Sequence, residues 1–386
     1  MNAIELLDII STLETSKVQF KREITHNDAM AAEITAMSNS IGGMILLGVV
    51  DKTGEIVGIN IQSNINERIA SICTNSINPP VYITNEVVTL GDGKNILVIH
   101  IPEGTNKPYK DNNGAIWVKQ GSDKRRVTDT FEIMRILQNS GYLLADEMEM
   151  FETSIEDVDK RKFEEYFKKE FNKTIEEKGL TFEHALRAKR VLKNNQLTLA
   201  GLLFFGKDPQ NVKPAFTIKA VSYFGNDIAG NQYRSKPKDL KGTIPELFEQ
   251  GMKFLMSNLA YLQSGESFNS QGKLEISRVA LEEILQNALV HRDYFKNSPI
   301  RLLIYDNRIE IISPGKLPNS LTVEDIKFGN PVIRNNQIVA FSTHTLPFSG
   351  LGSGIMRAIE EEPNIELIND VSGEQFIVKI PRPEKE

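Results

Sequence analysis

The sequence predicts a mixed α/β (α+β) fold, with helices laid on sheets from one end of the chain to the other. Three stretches carry that expectation. Residues 44–50, MILLGVV, are a continuous apolar run, the pattern of a strand buried on both faces. Residues 281–294, LEEILQNALVHRDY, place Leu281, Ile284, Leu285, Ala288 and Leu289 at helical spacing, an apolar stripe suited to lie on a sheet. After them, 300–305 and 308–312 read as a strand pair around Asp306-Asn307.

At 386 residues the chain has length for two or three domains with sizeable cores. An apolar share of 40% and a charged share of 25% are ordinary for a globular protein in water. Cys73 is the single cysteine, so no intrachain disulfide forms, and a reducing cytoplasm is the expected location. The start, MNAIELLDII, has no basic segment and carries Glu5 and Asp8, so it reads as a short helix and not a signal peptide. No apolar run approaches the roughly 18 residues that span a bilayer, and no membrane partner is expected. A net charge of −6 restricts any nucleic-acid contact to a local patch.

Along the first third, 1–12 has helical amphipathicity and 14–23 alternates like a half-buried strand, with Lys17, Gln19 and Lys21 opposite Val18 and Phe20. Residues 30–39 are a helix pattern leading through Ile41-Gly42-Gly43 into the apolar run. Asp51-Lys52-Thr53-Gly54 closes a hairpin onto 55–58. A helix at 64–76, strands at 80–90 and 95–101 about Gly91-Asp92-Gly93, and a strand at 115–119 follow. Lys119, Lys124, Arg125 and Arg126, near Tyr109 and Trp117, are a local basic excess. Cations beside aromatics suit phosphate contact with base stacking; scattered surface charge and a core Trp117 are the plain alternative.

This block resembles the Schlafen AlbA domain, on E-x-x-x-x-[E]-F-K at its start, S-N-S-I-G-G-x-I-L-L-G-V-x-D in the middle and V-K-Q-G-S at its close. The resemblance implies nucleic-acid binding, to DNA or RNA. In members that cleave RNA it implies an acidic set, which falls here on Glu14, Gln19 and Asp51, with Lys21 beside them. Gln19 can ligate through its carbonyl oxygen but brings no charge, and a nuclease centre needs charge to hold Mg²⁺ and activate water. Weak or no cleavage is therefore expected, with an RNase as the alternative.

Acidic residues at 146–157 mark a boundary. Helical patterns at 158–171 and 181–192, a helix or strand at 198–207, a strand at 215–224 and a helix at 244–262 make a middle region without a catalytic set. Three regions result: 1–140, 141–270 and 271–386.

In the last region Glu283 and Asn287 stand four residues apart and meet one turn apart on a helix face. Such a pair suits Mg²⁺ with its waters, since that ion takes oxygen ligands; a solvated surface pair is the alternative. A Ser313-Pro314-Gly315 turn, a long polar segment at 317–340 and the run Gly350-Leu351-Gly352-Ser353-Gly354 before a helix complete the pattern. Backbone N–H groups at such a helix start face anions.

That order resembles the ATP-binding domain of the GHKL superfamily, the nucleotide module of gyrase and histidine kinases. It is most similar to the variant that follows Schlafen AlbA domains in bacterial proteins described as transcriptional regulators. The resemblance implies a Bergerat helix-on-sheet sandwich that binds ATP and Mg²⁺. Glu283 and Asn287 match its E-x-x-x-N box, which makes Glu283 the base of a slow ATPase and Asn287 the Mg²⁺ ligand. Gly350, Gly352, Ser353 and Gly354 match the second glycine box around the phosphates. Ser313 stands where standard members have the adenine-binding aspartate, and Gly315 lets the chain pass close to the base. The segment 317–340 would be the lid. The expectation is an ATP-responsive nucleic-acid-binding protein, a transcriptional regulator or anti-phage defence component. A relative that has lost its nucleotide is the other alternative, and homo-oligomerisation stays open.

Overall fold

The apolar run at 44–50 supplies the strand Gly43–Leu47, an inner strand of a four-stranded sheet. Val18–Lys21 runs parallel to it on one side. Asn95–Ile101 runs antiparallel on the other side and carries Thr84–Thr89 at the edge. This is a computed structural model, and it describes all residues except 61–63, 228–231, 264–271, 319–320, 330–331, 351 and 384–386, together with the side chains of Phe131 and Asn139. Two units separate, Met1–Leu143 and Leu144–Glu386.

In the first unit the strand alternation sends Ile45, Leu47, Leu97 and Ile99 to one face, against Met30, Ile34 and Met37 of the helix Asn27–Asn39. Phe20, Leu46, Ile96 and Val98 go to the other, against Leu6 and Ile10 of the helix Ala3–Ser11. Both faces are covered, which is why the run reads as continuously apolar. A second sheet orders Ile77–Asn78, Lys110–Asp111, Ile116–Gln120 and Asp123–Val127, all antiparallel. Its last strand is the basic segment, turned back at Gly121 with φ +62°. Asn39, buried, joins the helix to this sheet: its Nδ2 donates to the carbonyls of Tyr109 and Trp117 at 2.9 Å each, and its Oδ1 accepts from Tyr109 N at 2.8 Å.

In the second unit a six-stranded sheet has the spatial order Tyr233–Ser235, Ile218–Tyr223, Ile300–Ile304, Arg308–Pro314, Gln375–Pro381, Glu366–Asp370. Ile218–Tyr223 and Ile300–Ile304 pair in parallel, and the other neighbours are antiparallel. The helix Arg278–Val290 lies on this sheet through Leu281, Ile284, Leu285 and Leu289. The ambiguous 198–207 stretch is the buried helix Leu199–Phe205. Phe205 meets Phe341 at 5.0 Å between ring centroids, and Tyr166 meets Phe341 at 5.3 Å.

The boundary placed at 270 lies outside the described residues, but sheet and core run across it. One strand of the sheet, Ile218–Tyr223, comes from the middle region. Asp146, also from the middle region, caps the helix Asn336–Thr345 by accepting from Gln337 N at 2.7 Å and Ile338 N at 3.1 Å. Among the described residues no helix is long and apolar enough to cross a membrane.

Candidate functional site

The helix Arg278–Val290 turns its remaining side to the helix Gly354–Glu361, and the two run antiparallel. At one end Ser277 N and Oγ donate to Glu362 and Glu361, both at 2.7 Å. Midway, Glu283 Oε1 and Arg357 Nη2 form an ion pair at 2.7 Å. At the other end Gly354 lies against Glu283 and Asn287. A Cβ on Gly354 would stand 2.5 Å from Glu283 Oε2 and 3.0 Å from Asn287 Nδ2, so any larger residue would displace those side-chain ends.

Between the Arg278–Val290 helix and the sheet opens a cavity of about 900 Å³, its mouth included. Its walls are largely apolar, with Ile284 and Ala288 from the helix and Ile311, Phe376 and Val378 from the sheet. Few polar groups converge on it: Asn287, His291, Ser313, Lys316 and Arg334. That balance of apolar wall and few polar groups suits a small organic ligand held by directed polar contacts.

Asn287 Nδ2 donates to the Glu283 carbonyl at 2.7 Å, which leaves its Oδ1 without a partner among the described residues. Ser313 Oγ donates to the Ala288 carbonyl at 3.0 Å, so towards the cavity it can only accept. Gly315 has φ +103°, and a Cβ there would meet Asp293 Cβ at 2.4 Å and Arg334 Nη1 at 2.8 Å. Arg334 Nη2 donates to Lys316 O at 2.7 Å. Burial lowers the Arg334 pKa, and nearby Asp293 opposes the shift. Burial, reinforced by Arg334, pushes His291 down to about 4, so the imidazole is neutral at pH 7.

Glu283 is 5% exposed. Burial raises its pKa above the usual carboxylate value, against the pull of the Arg357 guanidinium. Asn287, Ser313, Gly315 and Gly352 thus share one cavity, and Gly354 and Glu283 adjoin it behind Asn287. Gly350, with φ +70°, packs near Thr343 and Phe348. Ser353 precedes the helix without a side-chain capping bond, and Leu351 lies outside the described residues. Arg357 and Arg334 escaped the sequence reading. A cation one turn after a glycine run was the available signal for Arg357.

In the first unit, Glu14 Oε1 accepts from Gln19 Nε2 and, at 2.9 Å, from Phe20 N; its Oε2 accepts from Lys52 N at 3.1 Å. Lys21 pairs with Asp51. The structure therefore gathers Glu14, Gln19, Lys21 and Asp51, but with each carboxylate already engaged. Lys119 is not on the surface. Its side chain is 1% exposed, and Nζ donates to Gln19 Oε1 at 2.7 Å, Glu33 Oε1 at 2.9 Å and Ser122 O at 2.6 Å. Lys124 pairs with Glu33 Oε2 at 2.7 Å. Desolvation alone would raise the Glu33 pKa, but its hydrogen bonds to Lys124 and Lys119 bring it below the usual value. Arg125 forks onto Glu132. Arg126 is exposed, cross-strand from Trp117, whose Nε1 donates to Asp111 Oδ2 at 2.8 Å.

Three family models match the chain: "Schlafen, AlbA_2" over residues 14–128, "Putative ATP-dependent DNA helicase recG C-terminal" over 297–371, and a domain of unknown function over 134–218. Glu283 and Asn287 precede the second of these. No curated protein matches the chain. Among solved structures, the DIP2311 protein from Corynebacterium diphtheriae is 19% identical over 99% of this chain and 80% of its own, with a TM-score of 0.48. The N-terminal domain of a RecG-related protein from Nitrosomonas europaea, titled a putative ATP-dependent DNA helicase, is 26% identical over 34% of this chain and 96% of its own, with a TM-score of 0.26. The chain thus carries a Schlafen AlbA_2 domain at its N-terminal end and an ATPase-like domain of the recG C-terminal type at its C-terminal end.

Proposed function

We propose that this is an ATP-responsive nucleic-acid-binding protein of the cytoplasm, a regulator or a component of anti-phage defence. The observation that carries the reading is the cavity with Asn287, Ser313 and Gly352 on its wall and Gly354 packed onto Glu283. The residues present fit an adenine nucleotide with Mg²⁺, bound in GHKL fashion. The apolar walls would take a base, with Ser313 Oγ as acceptor for an exocyclic amine. Asn287 Oδ1 would ligate the ion, and the backbone of Gly350, Gly352 and Gly354 would face the phosphates. Bound ATP supplies a phosphoanhydride bond, and Glu283 would orient water towards it in slow hydrolysis. One hydroxyl replaces the carboxylate of standard members, so discrimination against GTP should be loose.

Thermal melting of the full chain with Mg²⁺ and ATP, ADP or GTP tests this. A ligand at a hundred times its Kd stabilises by about 2.7 kcal/mol, and the absence of any shift would leave an interaction module without a nucleotide.

For the first unit the same reading assigns nucleic-acid contact to the basic strand, with Arg126, Arg125 and Lys124 outermost and Lys119 beneath them. Cleavage should be weak or absent, because Gln19 brings no charge and Lys21 already neutralises Asp51. Mg²⁺- or Mn²⁺-dependent cleavage that disappears in Asp51→Ala would move the assignment to nuclease.

A further inference from the structure

We propose that Arg357 reads the third phosphate: Glu283 holds it here, and the terminal phosphate of a nucleoside triphosphate competes with that carboxylate for it. The inference rests on the nucleotide reading of the cavity and deepens it.

The carboxylate of Glu283 is nearly enclosed, with Oε1 on Arg357 Nη2 at 2.7 Å and Oε2 against Gly354. The two partners are unequal. The Arg357 side chain is 42% exposed and that of Glu283 6%, so the arginine is the one with room to move. Its fork is also under-used. The nitrogen that meets Glu283 reaches Ser349 Oγ only at 3.5 Å, and Nε is buried without a partner among the described residues. A buried guanidinium N–H without an acceptor is a demand that an anionic oxygen satisfies.

Position supplies the rest. Arg357 stands one turn after Gly354, on the helix that the glycine run opens, and Gly354 also touches Asn287 at the cavity wall. Phosphates laid over Gly352 to Gly354 would approach a buried carboxylate of the same sign, a repulsion of several kcal/mol in low dielectric if uncompensated. The cation beside that carboxylate is Arg357. A triphosphate reaches it, and a diphosphate, one group shorter, gains less. A plain clasp between two helices would be indifferent to which nucleotide is bound.

The test is calorimetric titration of the full chain with MgATP and MgADP. Wild type should prefer ATP. Arg357→Met should lose about tenfold in ATP affinity, the worth of one charge-assisted hydrogen bond, with ADP unchanged. Arg357→Lys should keep part of the preference. Glu283→Gln removes the competing charge and should bind ATP several-fold tighter, with a smaller gain for ADP. An unchanged ATP-to-ADP ratio in Arg357→Met, or equal loss of both with a lower Tm, would overturn the proposal while leaving the nucleotide site in place. If that variant does not fold, the ratio in Arg357→Lys and Glu283→Gln decides. Wild type that binds neither nucleotide overturns the site reading and this inference together.

Discussion

Asn287 donates its side-chain N–H to the backbone carbonyl of Glu283, one turn earlier and 2.7 Å away. The bond fixes which face of the carboxamide is spent and which is left for a ligand. Asn287→Ala should therefore abolish Mg²⁺-dependent nucleotide binding, a loss of at least about tenfold, or 1.4 kcal/mol, in titration calorimetry. Parent-like affinity in that variant would return Asn287 to an ordinary helix surface.

Glu283→Ala should behave differently, binding ATP at least as tightly as the parent while losing turnover by roughly 10²-fold or more, as expected when a general base is removed. Phosphate release under saturating MgATP measures it. Unaltered turnover would place the base elsewhere.

Gly354→Ala sets two effects against each other. Alanine is the better helix residue by up to about 1 kcal/mol, whereas its methyl would press on Glu283 Oε2 from 2.5 Å. The Glu283 side chain should give way, so Tm should stay within a few degrees while turnover falls at least tenfold. A variant with parent-like turnover would show that the fit around Gly354 is looser than the geometry implies.

His291 makes the second unit sensitive to acid. Its folded pKa of about 4 lies below the ordinary 6.5, so between those values the unfolded chain binds the proton and the folded one does not. Stability from this group is then present above about 6.5 and falls as pH drops towards 4, with a slope of at most about 1.4 kcal/mol per pH unit. Tm measured from pH 7 to 4 should fall more gently in His291→Phe. Parallel curves would mean that the imidazole titrates normally.

The basic strand separates into two kinds of cation. Lys119→Ala leaves Glu33 buried with one partner fewer and should cost about 3 kcal/mol, read as a lower Tm of the first unit. Arg126→Glu should leave Tm unchanged and weaken binding to RNA or DNA, which in the parent should fall steeply with salt. Salt-independent binding would discard the phosphate-contact assignment.

Much of this was legible in the sequence, because local pattern fixes local structure. The period of 281–294 set the helix Arg278–Val290, and the unbroken apolar run at 44–50 set a strand covered on both faces. Glu283, Asn287 and Gly354 could be listed from spacing, but their contact through the missing Cβ of Gly354 could not. Partnership across the fold was equally hidden. Nothing in the order of residues ties Lys119 to Glu33, 86 positions earlier, so a buried ion pair read as a surface patch. Arg357 was passed over because an arginine in a helix is ordinary until its partner is known.

The strand Ile218–Tyr223 has a practical meaning for dissecting the molecule. A fragment cut near 271, or at the 297–371 limits of the recG-type match, would expose the edge of Ile300–Ile304 and strip the Asp146 cap from the helix Asn336–Thr345. Bare edges of that kind recruit other chains, so such a fragment should aggregate on expression. The smallest piece worth purifying for nucleotide work begins at Leu144, and homology limits alone would have led the cloning astray.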